Sequence, residues 1–448
     1  MAWQMRIAAF LVAFGIAASS VAPAYAQSIR IIRDAEIEAM VAAFATPLFR
    51  AAGFARDPRI VIVNDRRFNA FVTEDGNIYI NHGTILDVET PGALKAILAH
   101  EIGHLAGGHI ARLREQMNLR GQLQVLSMIL GVGAVAASAG TSAAGEVSQM
   151  ASAFLMASSA AAHNSLMAYR QSEESAADAA ALRLLERTGQ SPRGLVDTLR
   201  LLLESQVQRA GAQNYMSTHP LAQDRLNQVE SQARQSAHWG AADSAADVRA
   251  LAMAKAKIIG FLEPNTVTAN AYPNSDRSLA ARYARAIAAY RAGGGVSAVQ
   301  IMPTLISEQP SNPFLHELYG QMLFELGQPA QAIAPLKRAV DLAPDQPLIR
   351  ILYAQALVAA GGAANLNEAV LQLKRSQAAE PLNVRLFTVM SQAYNGLGQP
   401  GHATLAAAEA AIARRELPTA RGLARQAQQQ LTQGSPEWLR AGDILGMQ

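Results

Sequence analysis

Short apolar segments near the start of the chain predict a small β element. Residues Ile60 to Val63 form an unbroken apolar run of strand length, which is typical of a buried strand. The segment NAFVTEDGNIYIN, from Asn69 to Asn81, alternates apolar and polar positions around Glu74-Asp75-Gly76, where the Asp-Gly pair indicates a turn. We therefore expect one buried strand, followed by two strands that a tight turn joins.

A helical pattern follows these strands. Apolar residues such as Ile97 and Leu98 recur at helical spacing from Gly92 to Met117, which predicts one long helix with a buried face. The segment 121–169 that comes next carries Glu146 as its single formal charge. We expect this segment to be a membrane-facing lid, with a membrane span or an ordinary core helix as alternatives.

After residue 277 the chain is helical in pattern and repeats itself. Gly293, Gly327 and Gly361 stand 34 residues apart, and so do Pro310 and Pro344. A period of this length, with small residues at fixed positions and a closing proline, is the signature of tetratricopeptide repeats. The clearest unit matches the consensus offsets with Gly320, Leu323, Leu326, Gly327, Ala332, Leu336, Ala339 and Pro344. These repeats are expected to stack into an α-helical solenoid whose concave surface binds proteins.

Together the patterns divide the chain into four parts. Residues 1–26 combine a positive charge, an apolar run and the small residues of Ala24-Tyr25-Ala26, the composition of a cleaved signal peptide. Residues 27–262 mix strands and helices, residues 263–277 are expected to form a linker, and residues 278–448 carry the repeats. The predicted fold class is mainly α (α+β), and the predicted location is the periplasm.

The composition of the chain excludes several kinds of functional site. The 448-residue chain contains no cysteine, which excludes disulfides, thiolate metal ligands and cysteine nucleophiles. Its 38 basic and 35 acidic residues give a formal net charge of +3 without a basic run, so nucleic-acid binding is not expected. A catalytic site in this chain must therefore be built without thiols.

The predicted long helix contains the pattern H-E-x-x-H, from His100 to His104. Two histidines four residues apart differ by roughly 40° around a helix, so both imidazoles face one side and can share a metal ion. Glu101 stands beside them, where its carboxylate can reach a metal-bound water. A solvated helix face is the plain alternative, but the apolar flanks of this helix argue against it. We interpret His100 and His104 as metal ligands and Glu101 as the general base.

His109 is the next histidine along the chain, yet helical geometry argues against it as a third ligand. The related pattern H-E-x-x-H-x-x-G-x-x-H keeps its glycine at Gly107, but its last histidine falls on Ile110. On a continuous helix His109 points roughly 140–180° away from the pair. We expect it to pack in the core or to contact a ligand from outside the coordination shell.

A carboxylate on a later helix is the better candidate for the third ligand. Glu174 and Asp178 lie four residues apart, which places them on one helix face. This spacing allows Glu174 to bind the metal while Asp178 accepts the N–H of a ligating histidine. Glu173 remains open as the alternative ligand, and an acidic first helical turn is the non-functional interpretation.

These motifs resemble those of a peptidase family. HEIGH, followed by E-x-x-A-D from Glu174 to Asp178, is similar to the HtpX and CAAX-prenyl-endopeptidase family of zinc metallopeptidases. The resemblance implies a zincin-like domain with one Zn²⁺ per chain, held by His100, His104 and Glu174. With the signal peptide and the repeats added, the chain resembles periplasmic members of this group.

The resemblance also draws attention to His219, in the segment THPLAQDRL. By the resemblance, this histidine is expected either to stabilise the oxyanion or to occupy the open metal position as a latch. A helix-entry histidine beside Pro220 is the plain alternative. The latch would keep the enzyme inactive until a substrate or partner displaced it.

The sequence thus predicts a zinc endopeptidase of the cell envelope that degrades misfolded or stalled outer-membrane and periplasmic proteins. The strand from Gly76 to Asn81 is expected to pair with extended substrates. The repeats are expected to dock proteins such as the outer-membrane assembly machinery, with possible peripheral membrane contact. The alternative function is an assembly factor or chaperone whose protease site is normally latched. The intact H-E-x-x-H motif and Glu174 argue against a non-catalytic scaffold.

Overall fold

The computed structural model describes residues 30–119, 144–205, 219 and 223–447. The predicted signal peptide and residues 121–143 of the charge-poor segment lie outside the described residues. Within the described ranges helices predominate, and four short strands form a single sheet. The predicted fold class, mainly α with a small β element, is confirmed.

The strands are β1 (Ile31–Ile32), β2 (Ile60–Val63), β3 (Ala70–Val72) and β4 (Ile78–Asn81), in the spatial order β1-β2-β4-β3. Strand β4 runs parallel to β2 and antiparallel to β3. The turn between β3 and β4 includes Gly76, whose φ of 75° favours glycine. The three predicted strands are confirmed, whereas β1 is too short for its pattern to be recognised.

The strand order corrects the expectation about substrate pairing. Strand β4 has hydrogen-bonded neighbours on both sides, so the segment from Gly76 to Asn81 has no free edge for a further strand. That prediction was wrong because the parallel pairing of β2 with β4 is a long-range contact that local patterns do not reveal. Strand β3 forms the sheet edge instead.

The sheet and the helices of the N-terminal domain share one buried core, which includes Ile62, Ile80, Leu94 and Leu98. No helix in the described part of the chain is long and apolar enough to span a membrane. The helices are α1 (Ala35–Ala52), α2 (His82–Asp87), α3 (Pro91–Gly107), α4 (109–119), α5 (Ala144–Arg187), α6 (Arg193–Ser205), α7 (Gln223–Ala233) and α8 (Ala245–Leu262).

Two helices replace the single helix predicted from Gly92 to Met117. Helix α3 ends at Gly107, Gly108 adopts a left-handed conformation with φ of 66°, and α4 begins at residue 109. A left-handed glycine is a common helix terminator because it lacks a Cβ. The prediction was wrong because the apolar spacing continues across this turn.

Helix α5 also differs from expectation. It already includes Ala144, so Glu173 and Glu174 lie in the interior of a long helix and do not form its first turn. The non-functional interpretation of these residues as an acidic helix start is therefore wrong. The part of the charge-poor segment from 144 to 169 continues directly into the helix that carries Glu174.

The C-terminal part consists of antiparallel helix pairs, as the 34-residue period predicts. Gly320 stands where a Cβ would lie 2.4 Å from Cγ of Leu336, which explains a small residue at this helix crossing. A short helix, α9 (Asn265–Ala271), lies within the segment predicted as a linker. The remaining helices are α10 (Leu279–Arg291), α11 (Gly295–Glu308), α12 (Pro313–Glu325), α13 (Pro329–Leu342), α14 (Pro347–Ala360), α15 (Ala363–Gln377), α16 (Val384–Gly396), α17 (Pro400–Ala413), α18 (Leu417–Gln430) and α19 (Pro436–Gly446).

Buried charges join the N-terminal domain to the repeats. Nζ of Lys257, on α8, lies 2.8 Å from Asp34, 3.4 Å from Glu36 and 3.7 Å from Glu317 of α12. The Tyr283 hydroxyl of α10 donates to Glu36 at 2.8 Å. Because a buried charge is costly unless it is paired, this cluster ties the two parts of the chain together.

Candidate active site

Helix α3 holds the H-E-x-x-H residues inside the core. Its start is defined by Thr90, whose side chain accepts a hydrogen bond from the backbone N–H of Ala93 at 3.1 Å. His100, Glu101 and His104 are all buried. The helical spacing predicted for these three residues is present, and it directs them towards α5.

Close packing of α3 on α5 brings the second motif to the first. A Cβ on Gly103 would lie 2.9 Å from the carbonyl oxygen of Ala177, so a glycine is required for this approach. Glu174 and Asp178, on the same face of α5, thereby reach the two histidines. Both carboxylates are buried, and both therefore need polar or charged partners.

Four potential ligand atoms converge at this point. Nε2 of His100 lies 3.1 Å from Nε2 of His104, and each of these atoms lies 3.3 Å from an oxygen of Glu174. Nδ1 of His219 lies 2.9 Å from Glu174 and 3.5 Å from Nε2 of His100. All four ligand atoms lie within 4.8 Å of one another.

Asp178 contacts His100 but is not one of the four residues whose ligand atoms converge. Its Oδ1 lies 2.9 Å from Nδ1 of His100, which is the contact that the spacing of Glu174 and Asp178 predicted. Arg225, on α7, donates to Asp178 at 2.9 Å and lies 2.7 Å from Glu174. The guanidinium therefore supports both carboxylates, because its several donors suit two acceptors at once.

His109 lies beside the site, not away from it. The left-handed turn at Gly108 interrupts the helix, and Nδ1 of His109 comes within 2.8 Å of Nδ1 of His104. Its Nε2 lies 3.0 Å from Glu173. The direction expected for His109 was wrong because it assumed a continuous helix, and the imidazole instead contacts His104.

Glu101 is fully buried, and both its carboxylate oxygens lack a hydrogen-bond partner within the described residues. Nε2 of His219 lies 3.6 Å from Oε1 of Glu101. Burial raises the pKa of the Glu101 carboxyl above its usual range. A carboxylate with a raised pKa and free lone pairs is suited to accept and return a proton.

The pKa values of the other groups reflect their partners. Burial lowers the pKa of His104 to about 3, which keeps this imidazole neutral. Burial opposes the charged form of His100 as well, but Asp178 and Glu174 raise its pKa to about 10. Burial opposes ionisation of Glu174, yet the surrounding imidazoles hold its pKa well below the usual range. Glu174 therefore contributes a negative charge to this point, and the neutral His104 contributes a nitrogen lone pair.

This donor set fits a metal ion. A tetrahedral zinc ion with bonds of about 2.0–2.1 Å separates neighbouring ligand atoms by about 3.3 Å. Five contacts among His100, His104, Glu174 and His219 lie between 2.9 and 3.5 Å, and all four ligand atoms lie within 4.8 Å of one another. Imidazole nitrogens and a carboxylate oxygen at this spacing can hold one divalent cation.

A cavity of about 190 Å³ opens onto these residues, with Glu101, His104 and His219 in its wall. Phe71 and Val72 of the edge strand β3 form another side of this cavity. An extended chain could therefore reach Glu101 while it lies along β3. Reasoning from the sequence missed this edge, together with the position of Arg225 behind the carboxylates.

Comparisons with known proteins agree with this geometry. Residues 32–233 match the family model of Peptidase family M48, and residues 313–356 match that of the tetratricopeptide repeat. The chain is 25% identical over 418 residues to the β-barrel assembly-enhancing protease of Yersinia pestis, covering 92% of this chain and 83% of that protein.

The chain is also 24% identical over 307 residues to the β-barrel assembly-enhancing protease of Escherichia coli strain K12. That alignment covers 67% of this chain and 60% of the relative. Among solved structures, the yeast protein Tom70 aligns over 78% of this chain and 81% of its own, with 10% identity and a TM-score of 0.30. Residues 32–233 thus match an M48 peptidase domain, and residues 313–356, further along the chain, match a tetratricopeptide repeat.

Proposed function

We propose that this chain is a zinc-dependent endopeptidase of the bacterial cell envelope, acting on misfolded or stalled outer-membrane and periplasmic proteins. The observation that carries the proposal is the convergence of His100, His104 and Glu174 beside the carboxylate of Glu101, whose oxygens accept no hydrogen bond from the described residues. Two imidazoles and one carboxylate are a ligand set typical of catalytic zinc. The names of the relatives connect them with β-barrel assembly, which supports the envelope as the place of action.

Each residue of the site has its own role in peptide hydrolysis. When bound, zinc lowers the pKa of a water molecule and polarises the scissile carbonyl. Glu101 accepts the proton of this water at its carboxylate and then delivers a proton to the leaving amine. Asp178 orients His100 through Nδ1, and Arg225 lowers the pKa of Asp178 and so keeps it ionised. The buried setting strengthens each of these charge interactions.

His219 acts as a latch in this proposal. Its Nδ1 lies among the ligand atoms, and its Nε2 is 3.2 Å from the carbonyl oxygen of Ala70. An imidazole in this position takes the place that the reacting water needs. Substrate or a partner protein must then move His219 away before Glu101 can work.

The edge strand β3 is the surface on which we place the substrate. On either side of β3, Asn81 N–H donates to Asn69 and Thr73 N–H donates to Asn77. This antiparallel register makes Phe71 and Tyr79 the hydrogen-bonded pair between them, so Ala70 and Val72 direct their backbone groups away from β4. An extended peptide that pairs with these groups would pass the site. The carbonyl of Ala70 is the one that His219 contacts.

In this proposal other proteins dock on the repeats, because solenoids of this kind present an extended concave surface. A cavity of about 680 Å³ lies between the repeats and the N-terminal domain, with Arg33, Glu317 and Leu382 among its lining residues. We propose components of outer-membrane assembly as the protein partners of the repeats. We also propose that the chain contacts the membrane peripherally. A second function, an assembly factor with a latched protease site, is favoured by the position of His219.

Zinc content and casein cleavage, compared between the wild type and Glu101→Gln, test the proposal. We expect one zinc ion per chain in both proteins, because Glu101 is not a ligand. Cleavage by the variant should fall by about 10²–10⁴-fold, the usual contribution of a general base. Equal cleavage by the two proteins, or loss of zinc from the variant, would contradict the assignment. Wild type that binds zinc but assists assembly without cleaving would favour the second function.

A further inference from the structure

A chain of side-chain contacts continues outward from His104. Nδ1 of His104 lies 2.8 Å from Nδ1 of His109, and Nε2 of His109 lies 3.0 Å from Oε2 of Glu173. Arg112 donates to the same oxygen of Glu173 at 2.8 Å. His109 is as deeply buried as His104, with 5% of its surface exposed against 6%. None of these outer residues touches the point where the four ligand atoms meet.

Gly107 and Gly108 form the turn that places His109 beside His104. Gly108 ends α3 with φ of 66°, a conformation that costs other residues free energy. A Cβ on Gly107 would lie 2.2 Å from Nε2 of His109, so the imidazole packs directly on the glycine backbone. The sequence Gly107-Gly108-His109 is therefore what brings this ring against His104.

The contacts determine which atoms carry protons. Oε2 of Glu173 accepts a hydrogen bond from Arg112, and an acceptor oxygen requires Nε2 of His109 to donate to it as well. In the neutral imidazole the other nitrogen, Nδ1, then accepts. Nδ1 of His104 must supply that hydrogen, which leaves Nε2 of His104 with a lone pair.

We propose that His109 is a positioning residue that fixes the tautomer of His104 and so keeps its Nε2 free to bind the metal ion. The inference rests on the proposed metal site and extends it to a residue outside that site. His100 is oriented by a carboxylate, Asp178, whereas His104 is oriented by a second imidazole that Glu173 holds in turn. Partners of this kind typically contribute about 10–100-fold to metal affinity.

Two measurements on the full-length chain test this inference. The first is the imidazole nitrogen chemical shifts of His104 in the metal-free protein, assigned by their loss in His104→Gln. We expect the Nδ1–H tautomer in the wild type and a mixture of tautomers in His109→Ala. The second is zinc affinity, measured by competition with a chromophoric chelator. We expect an affinity loss of about 10–100-fold in His109→Ala.

Three further variants separate positioning from a merely structural role. His109→Asn keeps an acceptor near the Nδ1 position and should restore most of the affinity. Gly107→Ala should lower the affinity as His109→Ala does, because the added Cβ displaces the ring while the imidazole remains. His316→Ala, on the repeats, is the matched control and should change nothing.

Equal zinc affinity and an unchanged His104 tautomer in His109→Ala would overturn the inference. An affinity loss that His109→Asn does not restore, with an unchanged tautomer, would also overturn it, since the loss would then be structural. Absence of zinc binding by the wild type would contradict the proposed function. In that case the tautomer measurement would still decide whether His109 directs His104.

Discussion

Nδ1 of His219 lies 2.9 Å from Oε1 of Glu174, the carboxylate that completes the predicted ligand set. The same imidazole reaches the carbonyl oxygen of Ala70, on the free edge of β3, at 3.2 Å. One side chain therefore bridges the metal position and the strand on which we place the substrate. A peptide that pairs with Ala70 would compete for a contact that His219 now makes, which couples substrate binding to release of the latch.

The two neighbouring glutamates of α5 should behave differently. Glu174→Ala removes a ligand atom, so zinc affinity should fall by more than about 100-fold, beyond the range of an outer partner. Glu173→Ala affects the metal only through His109 and should cost no more than about 10–100-fold. Chelator competition compares the two variants directly. Equal losses, or a larger loss in Glu173→Ala, would show that the wrong glutamate has been assigned as the ligand.

Gly103→Ala should weaken the contact between α3 and α5. The new Cβ would meet the carbonyl oxygen of Ala177 at 2.9 Å, and backbone cannot move aside as a side chain does. We expect a loss of about 1–3 kcal/mol in the free energy of unfolding, measured with urea, together with weaker zinc binding. Gly422→Ala is the control, because nothing lies within 4 Å of its Cβ position. It should stabilise α18 slightly. Equal effects of the two substitutions would contradict the packing argument.

The spacing of residues along the sequence was sufficient to predict part of this site. The H-E-x-x-H pattern placed His100, Glu101 and His104 on one helix, and the four-residue interval placed Glu174 and Asp178 together on another. These placements succeeded because each depends on helical geometry alone, whereas the contact of Asp178 with His100 also needs the packing of α3 on α5. The 34-residue period predicted the repeats for the same reason, since every unit repeats one local arrangement.

Long-range contacts explain what the sequence did not reveal. Strand β3 is the free edge because β2 and β4, which β3 separates in sequence, pair directly with each other in the sheet. No local sequence pattern encodes that order. His109 reaches His104 through a left-handed turn at Gly108. A pair of glycines at a helix end did indicate such a turn, but the apolar spacing beyond it favoured a continuous helix.

The buried cluster between the N-terminal domain and the repeats should make stability depend on pH. Burial raises the pKa of Glu317 to about 7, from a usual value of 4.5, although Lys257 opposes this and Asp34 and Glu36 add to it. A raised pKa means that the folded state favours the protonated carboxyl. Its contribution to stability is therefore complete below about pH 4.5 and is lost as the pH rises through about 7.

The free energy of unfolding of the wild type should consequently fall between pH 6 and pH 8. Glu317→Gln cannot titrate, so the fall should be smaller in this variant. Urea denaturation at both pH values measures the difference between the two slopes. Identical slopes in the two proteins would show that Glu317 does not titrate in this range.

Casein cleavage by zinc-loaded His219→Ala, with and without Glu101→Gln, tests the account most directly. A latched zinc peptidase predicts faster casein cleavage and self-cleavage by His219→Ala than by the wild type, at unchanged zinc content, and loss of both when Glu101→Gln is added. If His219 stabilises the oxyanion instead, cleavage by His219→Ala should fall by about 10²–10³-fold. A stable, zinc-loaded His219→Ala protein that is nearly inactive would contradict the latch. Cleavage that persists in the double variant would contradict the role of Glu101 and the peptidase site itself.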